Sequence, residues 1–313
     1  IAGFVMLIKG ADYLIKGSTN IAKHFGISDL VVGLTIIAFC TSTPELFVNI
    51  ISTIQGHTAI AVGNILGSNI FNILFILGLS AIIYPLKVKN EVVWKDIPLN
   101  LLAILVLGIL ANDVLIDKQY QAVLSRIDGL IMLCFFAIFM IHVYAIAKTS
   151  RAKLQTNIGR PKFSLRAAIG LIALGVAGLI VGGELVVNGA VTLALQWGWS
   201  QSLIGLTIVA IGASLPELIT SIIAAFKKHA DLAVGNIIGT NIFNIFWILG
   251  LSAVIHDLPF SLLNNFDVII LTFATGLLFV WVFLGKRYTI QRWQGACLVF
   301  FYLIYFAMIL VRG

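Results

Sequence analysis

Charged residues are scarce in this sequence. Asp, Glu, Lys and Arg make up 11% of the 313 residues and hydrophobic residues 60%, whereas soluble domains have roughly 25% charged and about 45–50% apolar residues. This deficit excludes an ordinary soluble fold and predicts a membrane protein with several spans. The net charge of +7 lies mostly in short loops between apolar runs. It therefore indicates topology and not a nucleic-acid partner.

Cysteine and histidine are also few. The three cysteines, Cys40, Cys134 and Cys297, lie inside apolar segments without metal or redox spacing, so we interpret them as packing residues. No histidine or cysteine belongs to the oxygen-bearing cluster described below, and there is no His-Glu-x-x-His motif. These absences disfavour a zinc or copper site and an intramembrane hydrolase. We therefore expect neither an enzymatic activity nor a cofactor.

The apolar runs are long enough to span a membrane, because a transmembrane α-helix needs about 20 residues. The only long polar connection is residues 149–165. It separates a first five-helix unit, residues 1–148, from a second, residues 166–313. We predict an all-α membrane protein with ten transmembrane helices near residues 1–22, 28–54, 59–84, 93–111, 127–148, 166–195, 202–226, 231–254, 266–286 and 290–311.

The two units contain a repeat. Residues 31–83 recur without a gap 172 positions later as residues 203–255, and 30 of the 53 positions are identical. The identities include polar residues that a lipid-facing helix does not need. In the first copy these are Ser42, Pro44, Glu45, Asn64, Asn69 and Asn72, and in the second Ser214, Pro216, Glu217, Asn236, Asn241 and Asn244. A carboxylate with amide and hydroxyl oxygens in apolar sequence indicates a cation site, here built twice.

The distribution of Lys and Arg predicts the orientation. Of the 20, 16 fall on one predicted face, Lys9 lies within the first predicted helix, and the other face has only Lys118, Arg126 and Arg312. By the positive-inside rule the first face is cytoplasmic, which puts the 149–165 loop inside and both termini outside. Because each unit has an odd number of helices, the second enters the membrane in the opposite direction. The repeat is therefore inverted, as in many secondary transporters.

Proline interrupts the second predicted helix just before its carboxylate. Pro44 has no N–H, and its ring clashes with the carbonyl of Cys40, which predicts a kink before Glu45. The kink frees carbonyls around residues 38–41, and irregular backbone is tolerated in a membrane where it lines a cavity or an ion site. The second copy has the same arrangement at Gly212, Pro216 and Glu217.

A polar stripe follows in the third helix of each unit. Asn64, Ser68 and Asn72 are spaced i, i+4 and i+8 and share one helical face. The matching residues of the second copy are Asn236, Thr240 and Asn244. Oxygen-only ligands suit hard cations such as Ca²⁺. Interhelical hydrogen bonding is the alternative for the stripe, and a structural ion pair is the alternative for the carboxylates. The two mid-segment carboxylates favour the ion site.

Two further pairs match at the same offset. Asp12 corresponds to Glu184, and because lysines flank Asp12 at helical spacing we predict a local ion pair there. His57 corresponds to His229 at predicted surface turns. We expect both histidines to be solvated and assign them no role.

These motifs resemble the cation/Ca²⁺ exchanger superfamily, most closely its prokaryotic Na⁺/Ca²⁺ exchanger branch. The resemblance implies ten transmembrane helices with the repeats at the core, in a prokaryotic inner (plasma) membrane. It implies Ca²⁺ and Na⁺ as transported substrates, lipid as the surroundings, and no obligatory protein partner. The matching segments are Thr41-Ser-Thr-Pro-Glu45, Gly63-Asn-Ile-Leu-Gly-Ser-Asn-Ile-Phe-Asn72, Ala213-Ser-Leu-Pro-Glu217 and Gly235-Asn-Ile-Ile-Gly-Thr-Asn-Ile-Phe-Asn244.

The resemblance also implies roles by position. Glu45 and Glu217 would be the Ca²⁺ carboxylates, assisted by the backbone carbonyls of Thr41 and Ala213. Asn72 and Asn244 would lie at the centre. The residues implied for flanking Na⁺ sites are Ser42, Ser68, Ser214 and Thr240, with the carbonyls of Ala38 and Ala210.

Two departures from the family pattern concern the counter-ion. The Na⁺/Ca²⁺ branch often has Asp where Asn244 stands, so this cluster has at most two negative charges. Plant and fungal Ca²⁺/H⁺ exchangers have a further Glu where Gly67 and Gly239 stand, which disfavours proton coupling. Our hypothesis is Ca²⁺/Na⁺ antiport by alternating access, and the nearest alternative is Ca²⁺/H⁺ antiport through the same carboxylates. A cation channel is more distant, because selectivity filters are usually rings across an oligomer.

Overall fold

A computed structural model of the chain describes residues 1–56, 58–112, 114, 122–154, 161–198 and 210–312. Over these residues the fold is almost entirely helical. Predictions for His57, Lys118 and residues 202–209 of the predicted seventh helix lie outside the described residues. So do the predictions for residues 155–160 of the polar loop.

The first half contains six helical elements. They are α1 Ala2–Phe25, α2 Asp29–Thr41, α3 Thr43–Ile54, α4 over residues 58–83, α5 Val92–Leu110 and α6 Arg126–Leu154. Three of these elements include a π-helical stretch: Gly33–Ile37 in α2, Phe71–Leu77 in α4 and Val92–Asp96 at the start of α5.

The second half contains the matching elements. They are α7 Leu165–Gln196, α8 Ala210–Ala213, α9 Leu215–Phe226, α10 Ala230–Ile255, α11 Leu262–Trp281 and α12 Arg292–Arg312. Helix α10, which corresponds to α4, also includes a π-helical stretch, Phe243–Leu249.

Seven of the described helices are long and apolar enough to cross a membrane, and the bent pair α2 and α3 counts as an eighth if it forms one span. The helix α1 has 24 residues, a sufficient length, but it contains Lys9, Asp12 and Lys16. The bundle is therefore membrane-spanning over most of its helices. The described residues show seven or eight such spans, against the ten predicted from sequence.

The third long helix of each half lies at the centre of the bundle. In their apolar windows α4 is 78% buried and α10 is 83% buried, whereas the other five long spans are between 22% and 44% buried. The repeat copies therefore pack against each other inside, and the remaining helices turn much of their apolar surface outward. This is the arrangement expected when lipid replaces water around a bundle.

Small residues let α1 and α7 pack closely as an antiparallel pair. A Cβ added at Gly10 would lie 2.8 Å from the carbonyl oxygen of Gly175, and one added at Gly175 would lie 2.6 Å from the amide nitrogen of Leu14. Both backbones therefore touch, as small-residue helix interfaces in membranes allow. The facing residues recur every seven positions: Gly3, Gly10 and Gly17 on α1, and Gly182, Gly175 and Ala168 on α7.

Two short antiparallel sheets join the halves. Strand β1, Leu86–Lys87, pairs with β4, Thr289–Ile290, with Leu86 opposite Ile290. Strand β2, Val123–Leu124, pairs with β3, Leu258–Pro259, with Leu124 opposite Leu258. The segments after α4 and α10 are thus each tied to the other half.

The polar loop is shorter than predicted. Helix α6 continues to Leu154, although the sequence pattern placed its end near residue 148. The extension is rich in Ala, Lys and Arg, which are strong helix formers, so loss of apolar character there does not end the helix. The described end of the loop is fixed to α1, because the Asn20 side chain accepts hydrogen bonds from the amides of Lys162 at 2.8 Å and Phe163 at 3.1 Å.

Candidate cation site

The second predicted helix is broken beside its carboxylate. The axes of α2 and α3 meet at 46°, and Ser42 stands at the break with φ −78° and ψ −1°. Pro44 lies in the first turn of α3, where its missing N–H costs no intrahelical bond. The predicted kink is confirmed, with the break two residues before the proline. It places Glu45 in the first turn of α3, at the positive end of the helix dipole.

The second half has the same break. Helix α8 ends at Ala213, Ser214 occupies the break, and α9 begins at Leu215 with Pro216 in its first turn. Glu217 is the acidic residue of that turn. The sequence repeat is therefore also a structural repeat at the position of each carboxylate.

The central asparagines stand in unusual backbone. Asn72 is the second residue of the π-helical stretch Phe71–Leu77, and Asn244 is the second residue of Phe243–Leu249. π-Helical turns are rare and occur often at functional sites. The last member of the predicted i, i+4, i+8 stripe in each half therefore lies in this wider turn, where α-helical spacing no longer applies.

Most of the predicted ligand oxygens are buried and without a hydrogen-bond partner among the described residues. Glu45 and Glu217 are 0% exposed, and Glu45 lies within electrostatic range of Glu217. A buried polar atom without a partner is unfavourable, and a buried charge is more so. The unpartnered atoms are both carboxylate oxygens of Glu45 and Glu217, the Oδ1 atoms of Asn72 and Asn244, and the hydroxyls of Ser42 and Thr240.

Three other predicted ligands form contacts within this region. The hydroxyls of Ser214 and Ser68 lie 3.3 Å apart and join the two halves. The Thr41 hydroxyl is 3.2 Å from Asn236 Oδ1, and Thr41 also lies near Glu217. The structure thus brings α2, α4, α8, α9 and α10 together around the two carboxylates.

The carbonyls of Ala38 and Ala210 are the backbone ligands predicted for Na⁺. The Ala38 carbonyl accepts a hydrogen bond from the Ser42 amide at 2.9 Å and lies 3.3 Å from the Thr41 hydroxyl, so one of its lone pairs is already engaged. Ala210 is the first described residue of α8. Their roles as Na⁺ ligands remain predictions.

Sequence reasoning did not assign a role to Asn69 and Asn241, although both copies contain them. Their side chains exchange hydrogen bonds with each other's backbone carbonyls at 3.2 and 3.3 Å. The Oδ1 atom of Asn241 accepts from the Nδ2 of Asn72, and that of Asn69 accepts from the Nδ2 of Asn244, each at 2.9 Å. These bonds fix the amides of Asn72 and Asn244 so that each Oδ1 stays unpartnered. The sequence did contain one signal for this role: asparagine occurs at the same position in both copies of the repeat.

Removing one of these positioning amides should weaken cation binding. We expect Asn241→Ala to lower apparent Ca²⁺ affinity by about 10- to 100-fold, the usual effect of losing a partner that orients a metal ligand. Measuring initial ⁴⁵Ca²⁺ uptake against Ca²⁺ concentration should show a raised KM. Asn69→Ala should behave alike because its hydrogen bonds mirror those of Asn241. Unchanged KM values in both variants would contradict this role.

The chemistry of the cluster is that of a hard-cation site. Among the described residues there is no group of three or more His, Cys, Asp and Glu side chains that could hold a metal ion, so the donors are two carboxylates and neutral oxygens. Such donors suit Ca²⁺ and other hard cations. A buried oxygen cluster inside a membrane-spanning bundle is the arrangement expected of a cation transporter.

Comparison with known proteins gives the family. The chain belongs to the sodium/calcium exchanger protein family, whose model matches residues 1–145 and 167–311. It is therefore an integral membrane transporter of the cation/Ca²⁺ antiport class and not an enzyme.

Similar proteins cover almost the whole chain. The putative antiporter CaxA of Alkalimonas amylolytica is 36% identical over 97% of this chain and 95% of its own length. The sodium/calcium exchanger MaX1 of Methanosarcina acetivorans is 29% identical over 98% of this chain and 96% of its own. A solved structure of the sodium-calcium exchanger NCX_Mj, soaked with 10 mM Na⁺ and zero Ca²⁺, superposes with a TM-score of 0.83 at 33% identity, covering 98% of this chain and 96% of that one.

Proposed function

We propose that this protein exchanges Ca²⁺ for Na⁺ across the membrane by alternating access, with Glu45 and Glu217 as the Ca²⁺ carboxylates. One observation carries the proposal. The four carboxylate oxygens of these residues are buried and have no hydrogen-bond partner among the described residues. A cation between them offsets this unfavourable burial, because each carboxylate then gains an opposite charge.

The surrounding oxygens complete a Ca²⁺ site. Ca²⁺ takes six to eight oxygen ligands, and the carboxylates supply up to four. The amide oxygens of Asn72 and Asn244 are unpartnered and can add two. Thr41 and Ala213 are the last residues of α2 and α8, and the final carbonyls of a helix have no intrahelical partner. Two negative charges balance one Ca²⁺.

Hydroxyl groups beside the carboxylates suit Na⁺. Ser42 and Thr240 have unpartnered hydroxyls, and Ser68 and Ser214 contact each other across the halves. With the carbonyls of Ala38 and Ala210 they form the proposed Na⁺ ligands. Because these sites share the carboxylates with Ca²⁺, the two ions compete for overlapping oxygens. An empty site leaves two carboxylates repelling each other at low dielectric, so movement requires bound cations and exchange is obligatory.

The proposed topology is ten transmembrane helices in two inverted five-helix units, residues 1–148 and 166–313, with the 149–165 loop in the cytoplasm and both termini outside. The excess of Lys and Arg on one face supports it. So do the matching helix breaks of the two halves, since inverted repeats meeting at a central site are typical of secondary transporters. The proposed location is the inner (plasma) membrane of a prokaryote.

Ca²⁺/H⁺ antiport is the second candidate, and the charge of the site favours it. Asn72 and Asn244 leave only two carboxylates, so the site balances at most two positive charges, and protons neutralise neighbouring carboxylates as cations do. Flux in proteoliposomes separates the two functions. We expect an outward Na⁺ gradient at equal pH to drive ⁴⁵Ca²⁺ uptake, and a pH gradient in Na⁺-free choline buffer to drive none. The reverse result would establish proton coupling. If neither the Na⁺ gradient nor the pH gradient drives ⁴⁵Ca²⁺ uptake, both functions are contradicted.

A further inference from the structure

A cavity of about 570 Å³ lies between loops of both halves, and its lysines and arginine belong to the face that the sequence predicts to be rich in Lys and Arg. Its walls come from the start of α2, the segment after α4, the start of α10 and the turn before β4. The volume is within the range of small-molecule sites, roughly 300–1,000 Å³. None of the residues assigned to the cation site lines it.

Basic side chains outnumber acidic ones in this cavity. Both acids are already engaged: Asp231 pairs with Lys89 at 2.7 Å, and Asp29 contacts His229 Nδ1 at 3.0 Å. The sequence predicted that His229 is solvated; its side chain is 38% exposed and also contacts Asp29. The three other basic side chains, Lys87, Lys228 and Arg287, form no ion pair with a described residue. The charged lining residues are Lys87, Lys89, Lys228, Arg287, Asp29 and Asp231.

Lys228 has a backbone conformation that favours glycine. Its φ is 63°. It lies just past the end of α9, where its amide donates a hydrogen bond to the Ala225 carbonyl at 2.9 Å. Glycine usually occupies this position. The equivalent residue in the first repeat copy, 172 positions earlier, is Gly56, with φ 81°. The second copy therefore has a lysine where its own counterpart has the unstrained residue. A strained backbone position whose side chain lines a cavity points to a ligand.

A second strained residue holds the arginine of the cavity. Tyr288 has φ 56°, and it and Lys228 are the two non-glycine residues with positive φ among those described. Arg287 lies 4.9 Å above the Tyr288 ring and donates to its hydroxyl at 3.1 Å. Hydrogen bonds from Trp94 and Arg287 lower the pKa of the Tyr288 phenol. The guanidinium is thereby kept beside the cavity without an acidic partner among the described residues.

We propose that this cavity binds a phosphate-bearing anion through Lys87, Lys228 and Arg287. Arginine matches phosphate oxygens with a planar pair of donors, and lysine adds a compact charge. Two sources present this chemistry at the membrane surface: the headgroup of an anionic phospholipid and a soluble phosphorylated anion. Because the lining comes from both halves of the chain, the bound anion also links them on this face.

Thermal unfolding of the purified full chain tests the proposal. One arm titrates inorganic phosphate, at constant ionic strength, onto protein in phosphatidylcholine nanodiscs. The other arm replaces part of the phosphatidylcholine with phosphatidylglycerol. A ligand that binds the folded state raises the unfolding midpoint, so we expect a rise in at least one arm. Lys228→Gly should weaken the apparent affinity about tenfold or more, because it removes a hydrogen bond to a charged group.

The variant and its control make the outcomes distinct. Lys228→Gly relieves the backbone, so without anion the protein should be at least as stable as the parent chain. Lys286→Gln makes the same change in net charge at an exposed residue that does not line the cavity, and its response should match the parent. A response to phosphate alone identifies a soluble anion, and one to phosphatidylglycerol alone identifies a headgroup. No response in either arm, or equal weakening in both variants, would overturn the proposal.

Discussion

Replacement of Glu45 or Glu217 by glutamine should reduce Na⁺-driven ⁴⁵Ca²⁺ uptake by about 100-fold or more. Partners that only orient a metal ligand contribute about 10- to 100-fold to metal affinity, and these carboxylates are the proposed ligands themselves. Each substitution also leaves one negative charge to balance a divalent ion. Initial rates in proteoliposomes at matched protein density provide the measurement.

Protein stability separates loss of binding from loss of folding. Ca²⁺ at about 100 times its Kd should stabilise the parent chain by roughly 2.7 kcal/mol and should not stabilise either glutamine variant. Without Ca²⁺ the variants should be at least as stable as the parent, because they remove repulsion between buried carboxylates. Glu184→Gln is the matched control, since Glu184 is exposed on α7. Normal uptake by Glu45→Gln or Glu217→Gln would show that the site assignment is wrong.

Gly175→Ala should destabilise the protein by about 1–3 kcal/mol, the usual effect of overpacking. The added Cβ meets the Leu14 amide nitrogen at 2.6 Å and the Gly10 carbonyl oxygen at 2.8 Å. Both atoms belong to the backbone of α1, so no change of rotamer relieves the contact and the helices must separate. The unfolding midpoint in detergent, followed by fluorescence-detected gel filtration, should fall.

The control for this prediction lies on the same helix. Gly170 is exposed, and no described atom lies within 4 Å of a Cβ built on it. Gly170→Ala should therefore raise stability slightly, by up to about 1 kcal/mol, because alanine is the better helix former. The two substitutions should thus have opposite signs. A midpoint for Gly175→Ala equal to that of the parent would contradict close backbone contact between α1 and α7.

The elements predicted best from the sequence are those determined by local chemistry. Pro44 and Pro216 cannot continue a helix, so the break before each glutamate followed from residue type alone. Long apolar runs predicted the spanning helices, and the repeat at offset 172 predicted that the two halves would have matching breaks. The ends of helices were less predictable, as α6 shows, because Lys and Arg are good helix formers outside the membrane as well.

The missed features depend on contacts between distant residues. Asn69 lies off the i, i+4, i+8 stripe, and its partners Asn241 and Asn244 belong to the other half, which helical periodicity does not indicate. The π-helical stretches further change the register at Asn72. Likewise, the replacement of Gly56 by Lys228 between the copies is visible in the sequence, but the backbone strain at Lys228 and its place in the same cavity as Arg287 emerge only from the fold.

The crossed hydrogen bonds of the asparagines make the protein comparable to an obligate dimer contained in one chain. Asn241 fixes Asn72 of the first half, and Asn69 fixes Asn244 of the second. The contact is isologous, as in a two-fold dimer where the same patch serves both partners. Each half therefore orients the central asparagine of the other half. A change at either positioning asparagine therefore acts first on the opposite half, because each central asparagine is held by a side chain of the other half.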